Sequence, residues 1–422
     1  MKMFKVPAIL RNRSLIQLLL GRILIVFAFQ MMTVAIGWQI YSITGSAFYL
    51  GLVGLTEFFP MLMLTLVVGY VADHFNRKLI ICICQTISGI GILTLSAGSF
   101  GGWISKESIL ITIFFIAAAN AFQGPPMQAL LPNIVSKEDF PQAVAWSASA
   151  FQFAVIVGPA LGGILYVFGA GAVYLASGAM AILAAFMISF ISVSNEKTKR
   201  EPVSFKSLFA GISFIKSRPT IPGAISLDLF AVLFGGATAL LPVYAKSILK
   251  IGPFGLGILR SMPAAGALIT SVWLARRPLK RKVGIKMFTA VIIFGLSTIL
   301  FAISKLFVLT LAALFILGAS DIISVVIRAT LIQLETPDSM RGRVSSVNQV
   351  FIGTSNQLGE FESGLTAFCF GVVPAALIGG IGTILVVLTW MKLFPSLLHR
   401  DKLVGSAYKH LVYRAYPPSH AV

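Results

Sequence analysis

Twelve apolar runs, each long enough to cross a bilayer, fill most of this 422-residue chain. They read as helices over 14–40, 48–72, 79–98, 107–126, 140–167, 171–193, 221–245, 253–275, 285–304, 307–331, 343–369 and 371–394. A chain that is 57% hydrophobic and 11% charged is not a soluble domain. The sequence therefore predicts an all-α membrane protein with twelve transmembrane helices. The stretch from Met1 to Arg13 carries bases, but the apolar run after it is too long for a cleavable signal peptide.

The formal charge of +19 suggests nucleic acid at first sight, but the bases are spaced along the chain in short loops. No nucleic-acid partner is expected. Of the 33 Lys and Arg, 26 lie at the termini and in the connections after the even-numbered spans. The other side holds 4, and Arg22, Arg260 and Arg328 fall within spans. That asymmetry predicts a multi-pass protein of the cell (inner) membrane with both termini in the cytoplasm. Cys82, Cys84 and Cys369 lie in spans without zinc spacing and read as packing residues.

Charge is scarce inside the spans, so each instance is informative. Glu57, Asp228, Arg260, Asp321, Glu360 and Glu362 all lie in spans. A buried ionisable group in a membrane faces the bundle interior, a cavity or a partner. These residues, with Asn356, are the candidate substrate and proton pathway. Asp321 and Arg328 are seven residues apart and are expected on one face. Glu360 and Glu362 are two apart, which places them on different sides of their helix. Glu360 is expected to face the pathway with Asn356 as a hydrogen-bond partner, and Glu362 to pair with a neighbouring helix.

Between the second and third spans runs Gly69-Tyr70-Val71-Ala72-Asp73-His74-Phe75-Asn76-Arg77-Lys78. Gly69, Asp73, Arg77 and Lys78 resemble, position by position, the loop between the second and third helices of major facilitator superfamily transporters. His74 stands where that family has a base, and Asn76 where it has glycine. The asparagine is read as a residue that tolerates left-handed backbone. The resemblance implies conformational gating by Gly69, Asp73, Arg77 and Lys78.

Other stretches extend the resemblance over about residues 10–400. Gly158-Pro159-Ala160-Leu161-Gly162-Gly163 resembles the fifth-helix antiporter motif of the superfamily's exporters, so Gly158, Pro159, Gly162 and Gly163 are expected to pack helices closely. Gln123-Gly124 match the fourth helix, but Asn120 stands where many members carry Arg. Arg341 through Gly364 resembles the exporter branch that includes the bacterial enterobactin exporter.

The resemblance implies two six-helix halves, 1–193 and 221–400. Between them, 194–220 reads as a cytoplasmic amphipathic linker, with Phe205, Leu208, Phe209, Ile212 and Ile215 at helical spacing. Residues 401–422 form a cytoplasmic tail. The implied function is proton-coupled export of a small polar or amphipathic metabolite, a siderophore by that branch, from a monomer in the lipid bilayer. A multidrug exporter and a lysophospholipid flippase on the same fold are the alternatives. No Walker-type phosphate loop is present, so ATP is not the expected driving force. His74, His399, His410 and His420 all lie outside the spans, which argues against an enzyme and against a metal site. No catalytic residue and no cofactor are expected.

Overall fold

A computed structural model describes residues 9, 12–136, 138–192, 212–218, 220–279 and 281–402, and the backbone alone of Leu66, Gly69, Ala72, Asp73, Asp338 and Ser339. The long helices are α1 (Arg13–Thr44), α2 (Ala47–His74), α3 (Arg77–Gly101), α4 (Lys106–Leu130), α5 (Phe140–Leu165) and α6 (Ala170–Ser189). They continue with α7 (Ile221–Ile248), α8 (Gly252–Arg276), α9 (Val283–Ile303), α10 (Phe307–Glu335), α11 (Asp338–Phe370) and α12 (Val372–Leu393). No strand occurs among the described residues.

Eleven helices among the described residues are long and apolar enough to cross a membrane; α11 is not one of them. Its 33 residues give it about 50 Å, so length is not the reason. Asn348, Gln349, Asn356, Gln357, Glu360 and Glu362 dilute its apolar character. The twelve expected spans are thus eleven by composition, plus a long polar helix.

The turns between helices are short because the sequence caps them. Gly45 ends α1 at φ 63°, where a side chain would be strained, and Ser46 caps α2 through the Phe48 N–H. Asn76 caps α3 by accepting from Lys78 N and Leu79 N. Its φ of −64° is not left-handed, so it is present as a cap and not for backbone tolerance. α2 stops at His74 and does not run on through Arg77, so Arg77 opens the next helix instead of lying one turn beyond Asp73.

α7 departs from the single regular helix expected over 221–245. It is α-helical to Phe234, passes Gly235, tightens to a 3-10 turn over Gly236–Leu240 and widens to a π-turn over Tyr244–Ile248. Pro242 lacks an N–H, and adjacent glycines give little side-chain support, so the ladder breaks there.

α1 packs on α5 and α6, α3 on α4 and α6, and α2 on α4. Likewise α10 packs on α8 and α9, and α12 on α7 and α9. The main contacts between these two groups are α2 with α11 and α5 with α8. Residues 194–211 and 219 of the expected linker lie outside the described residues. Ile212 and Ile215 pack on Ile221, Ile225, Ile332, Val344 and Val347, so this part rests against protein and not only on lipid. Most of the tail, from 403, also lies outside the described residues.

Candidate functional site

Glycines let the two groups of helices touch at one end. A Cβ added to Gly51 would lie 3.0 Å from Gly364 Cα, so α2 and α11 meet there with almost no side chain between them. A Cβ on Gly163 would lie 2.7 Å from the Pro253 carbonyl oxygen, and one on Gly162 would lie 2.9 Å from Met31 Cα. Gly158 lies under Gln30, and the Pro159 carbonyl abuts Gly257. Gly158–Gly163 therefore packs α5 against α1 on one side and α8 on the other. At the same end Lys246 Nζ donates to Ser42 Oγ at 2.9 Å, and Tyr41 and Ser247 share a 3.0 Å hydrogen bond.

Below this packed end lies a cluster of three charges from three helices. Glu57 is ten residues into α2, Arg260 eight residues into α8, and Glu360 ten residues from the end of α11. At 1.5 Å per residue all three sit roughly 12–15 Å deep, near the middle of a bilayer core. The two carboxylates and the guanidinium act on one another electrostatically. Gly54 makes room for this. A Cβ there would lie 2.7 Å from Glu360 Cβ and 3.0 Å from Glu360 Oε2, so α2 presses directly on the acid. Arg260 reaches from α8 towards α1, where a Cβ on Gly37 would lie 3.3 Å from its Nη2.

None of the three forms a direct ion pair among the described residues. Arg260 Nε is buried without a hydrogen-bond partner, and so is Gln357 Oε1, one turn from Glu360. Buried charge and unpaired donors at such depth are costly unless something answers them. Three charges with spare donors and acceptors are suited to holding a polar molecule. Gln357 was not among the expected site residues; its place one turn before Glu360 is the signal that marks it.

The other expected residues separate from this cluster. Glu362 is half-buried and accepts from Thr366 Oγ1 at 2.9 Å and Ser363 Oγ at 3.5 Å, so its partners are on its own helix and not on a neighbouring one. Asn356 is exposed and does not bond Glu360. Asp228 and Asp321 lie together elsewhere, between α7 and α10. Arg328 donates to Asp228, not to Asp321 of its own helix. A common helix face did not decide the pairing, because α7 brings Asp228 closer. On α3, Lys78 Nζ donates to the carbonyl oxygens of Ser189 and Ile191, both at 3.1 Å, and ties α3 to the end of α6. Arg77 lies in the first turn of α3; Gly69 and Asp73 lie in the last turns of α2, where only backbone is described.

In α1, Arg22 is taken up by Ser147 Oγ and by the Phe151 ring at 5.3 Å, and Gln39 by Ser99 and Tyr174. These serve packing within the first six helices.

A bundle of long apolar helices with charges gathered at mid-depth defines a polytopic membrane transporter. The chain belongs to the Major Facilitator Superfamily, which it matches over residues 18–359. It is 24% identical to the enterobactin exporter EntS of Citrobacter koseri over 403 residues, covering 93% of this chain and 92% of that one. It is 22% identical to EntS of Escherichia coli K12, covering 90% of this chain and 91% of that one. Among solved structures it resembles a bacterial homologue of the human lysosomal transporter Spinster in an inward-facing, unoccupied conformation, with a TM-score of 0.70 at 14% identity over 97% of this chain and 99% of that one. These relatives are transporters and not enzymes, which agrees with the absence of a catalytic constellation in the sequence.

Proposed function

We propose that this protein exports a small polar or amphipathic metabolite, a siderophore of the enterobactin kind, by proton-coupled alternating access. Twelve helices in two six-helix halves, 1–193 and 221–400, would rock about the cluster of Glu57, Arg260 and Glu360, with both termini cytoplasmic. The protein would act as a monomer in the inner membrane. The observation that carries this reading is Arg260, a mid-depth guanidinium with an orphaned Nε in the field of two carboxylates. A substrate with hydroxyl donors bonds Glu57 and Glu360, and its carbonyl acceptors bond Arg260. Protonation of Glu360 from outside removes an acceptor, so proton and substrate compete and exchange follows. The tight packing of α2 on α11 and α5 on α8 lies at the end away from both termini, which supports a conformation loaded from the cytoplasm.

The test uses everted membrane vesicles containing the protein, supplied with enterobactin and an imposed proton gradient. Accumulation that collapses with a protonophore at constant ATP is the expected result. No enterobactin accumulation overturns the siderophore assignment. Accumulation that survives the protonophore overturns proton coupling. Uptake of a lysophospholipid or a drug cation in its place assigns the chain to one of the other two exporter classes.

A further inference from the structure

Lys106 and Tyr49 stand at the top of a groove between α2 and α4. Lys106 Nζ donates to the Tyr49 hydroxyl oxygen at 2.7 Å and lies 4.6 Å from the centre of its ring. Thr56, Leu110, Ile111 and Phe114 line the groove, whose volume is about 310 Å³. Small-ligand sites span about 300–1,000 Å³. Thr56 follows Tyr49 by two helical turns, and Leu110 and Phe114 follow Lys106 by one and two, so the groove runs down both helices from the pair. Phe114 is roughly 12 Å below Lys106, close to the depth of one leaflet of a hydrocarbon core of about 30 Å.

The wall of this groove is apolar. The Thr56 hydroxyl donates to the Leu52 carbonyl oxygen at 2.7 Å and is thereby taken up within α2. Ile111 and Phe114 are exposed, so the groove opens sideways. Glu57 lies about 100° further round α2 than Thr56, so the groove and the charge cluster occupy different sides of that helix. The top of the groove carries the marks of headgroup depth. Tyr49 opens α2, and Trp103 is exposed just before α4; such rings favour the membrane interface.

Two opposite charges sit at this level. Lys106 is 38% exposed and Glu107 63%, with 3.8 Å between Nζ and the carboxylate. A surface ion pair of this kind contributes little by itself. An ammonium has three donors, and Tyr49 takes one, so Lys106 can also bind a phosphate. Glu107, further out, can accept from an ammonium beyond that phosphate. The arrangement, an apolar groove below a base below an acid, matches a zwitterionic phospholipid whose headgroup amine carries N–H donors. An anionic headgroup would meet Glu107 with like charge, and a trimethylammonium group has no N–H to donate.

We propose that the groove between α2 and α4 holds one phosphatidylethanolamine molecule. One acyl chain lies against Thr56, Leu110, Ile111 and Phe114, the phosphate bonds Lys106 and the ammonium bonds Glu107. The lipid is held and not exported, because the groove opens to the bilayer and not to the charge cluster. Its chain braces α2 at the level of Glu57. On the topology proposed above it belongs to the outer leaflet; binding itself does not rest on that reading.

The test is native mass spectrometry of the delipidated full-length protein, titrated in turn with dioleoyl phosphatidylethanolamine, phosphatidylglycerol and phosphatidylcholine. Wild type should hold one phosphatidylethanolamine per chain at least about tenfold more tightly than either other lipid, the scale of one charge-assisted hydrogen bond. Lys106→Gln should lose that advantage. Glu107→Gln should pass the preference to phosphatidylglycerol, because the site then carries a net positive charge. Ile111→Trp fills the groove, leaves both charges in place and should weaken binding of all three lipids. Equal affinities of the wild type for the three lipids overturn the proposal, as does a preference that survives both charge substitutions. A wild-type preference for phosphatidylglycerol overturns the headgroup assignment. If Lys106→Gln fails to fold, Glu107→Gln and Ile111→Trp carry the same test. Failure of enterobactin transport in vesicles would leave these affinities unaffected, so the two readings fail separately.

Discussion

Arg328 of α10 and Asp228 of α7 form an ion pair in which both side chains are almost wholly buried, at 5% and 6% exposure. It fastens the regular half of α7 to α10 at the level where α7 is about to break. In a membrane neither charge can be left alone, so the pair is costly to split and cheap to replace.

Arg328→Met should lower stability by about 3–5 kcal/mol, because it strands Asp228, and Asp228→Asn should cost less, because Asp321 shares the field of Arg328. The double variant should recover most of that loss. Thermal unfolding of the purified protein measures all three, and a double variant no better than the worse single one would show that the pair is not the cause.

Glu360 and Glu362 should behave differently although they are two residues apart. Glu360→Gln removes an acid that shares its field with Arg260 and Glu57, and export should fall by at least about 100-fold at normal membrane abundance, the scale of a lost proton-transfer group. Glu362→Gln alters contacts within one helix and should cost less than about threefold, equivalent to under 1 kcal/mol. The reverse ranking in a vesicle export assay would place the pathway on the other face of α11.

Gly54→Ala should weaken the packed end. Its new methyl would stand 2.7 Å from the Gln357 carbonyl oxygen and from Glu360 Cβ, and the backbone oxygen cannot swing away. Overpacking of this kind costs about 1–3 kcal/mol. Gly342→Ala, where nothing lies within 4 Å, should be neutral by comparison. Unfolding temperatures and accessibility of a cysteine probe placed near residue 45 would check both; equal behaviour would count against α2–α11 contact.

Reporter fusions after Ala47 and after Ser207 should report opposite sides of the membrane, with Ser207 cytoplasmic. The expectation comes from the distribution of Lys and Arg. Both fusions on one side would remove the proposed two-half layout. The result at Ser207 would also fix the side on which Ile212 and Ile215 meet the last six helices.

Much of this was legible in the sequence. Helix positions follow from hydropathy because lipid demands internal hydrogen bonding. Glu360 was separated from Glu362 by helical periodicity alone. Pairing was another matter. Arg328 had an acid on its own face at Asp321 and took Asp228 from another helix; Glu362 bonded within its own turn; Arg260 shares its field with Glu57 and Glu360 of two other helices. Spacing along one helix says which residues share a face, whereas a partner depends on how near another helix comes. That nearness is set by glycines such as Gly51, Gly54 and Gly236, whose contacts lie more than a hundred residues away in the chain. The sequence by itself therefore determined the helices and the scarcity of charge within them; the tertiary structure alone decided which charges come near one another, because electrostatic partnership depends on distance through space and not on position along the chain.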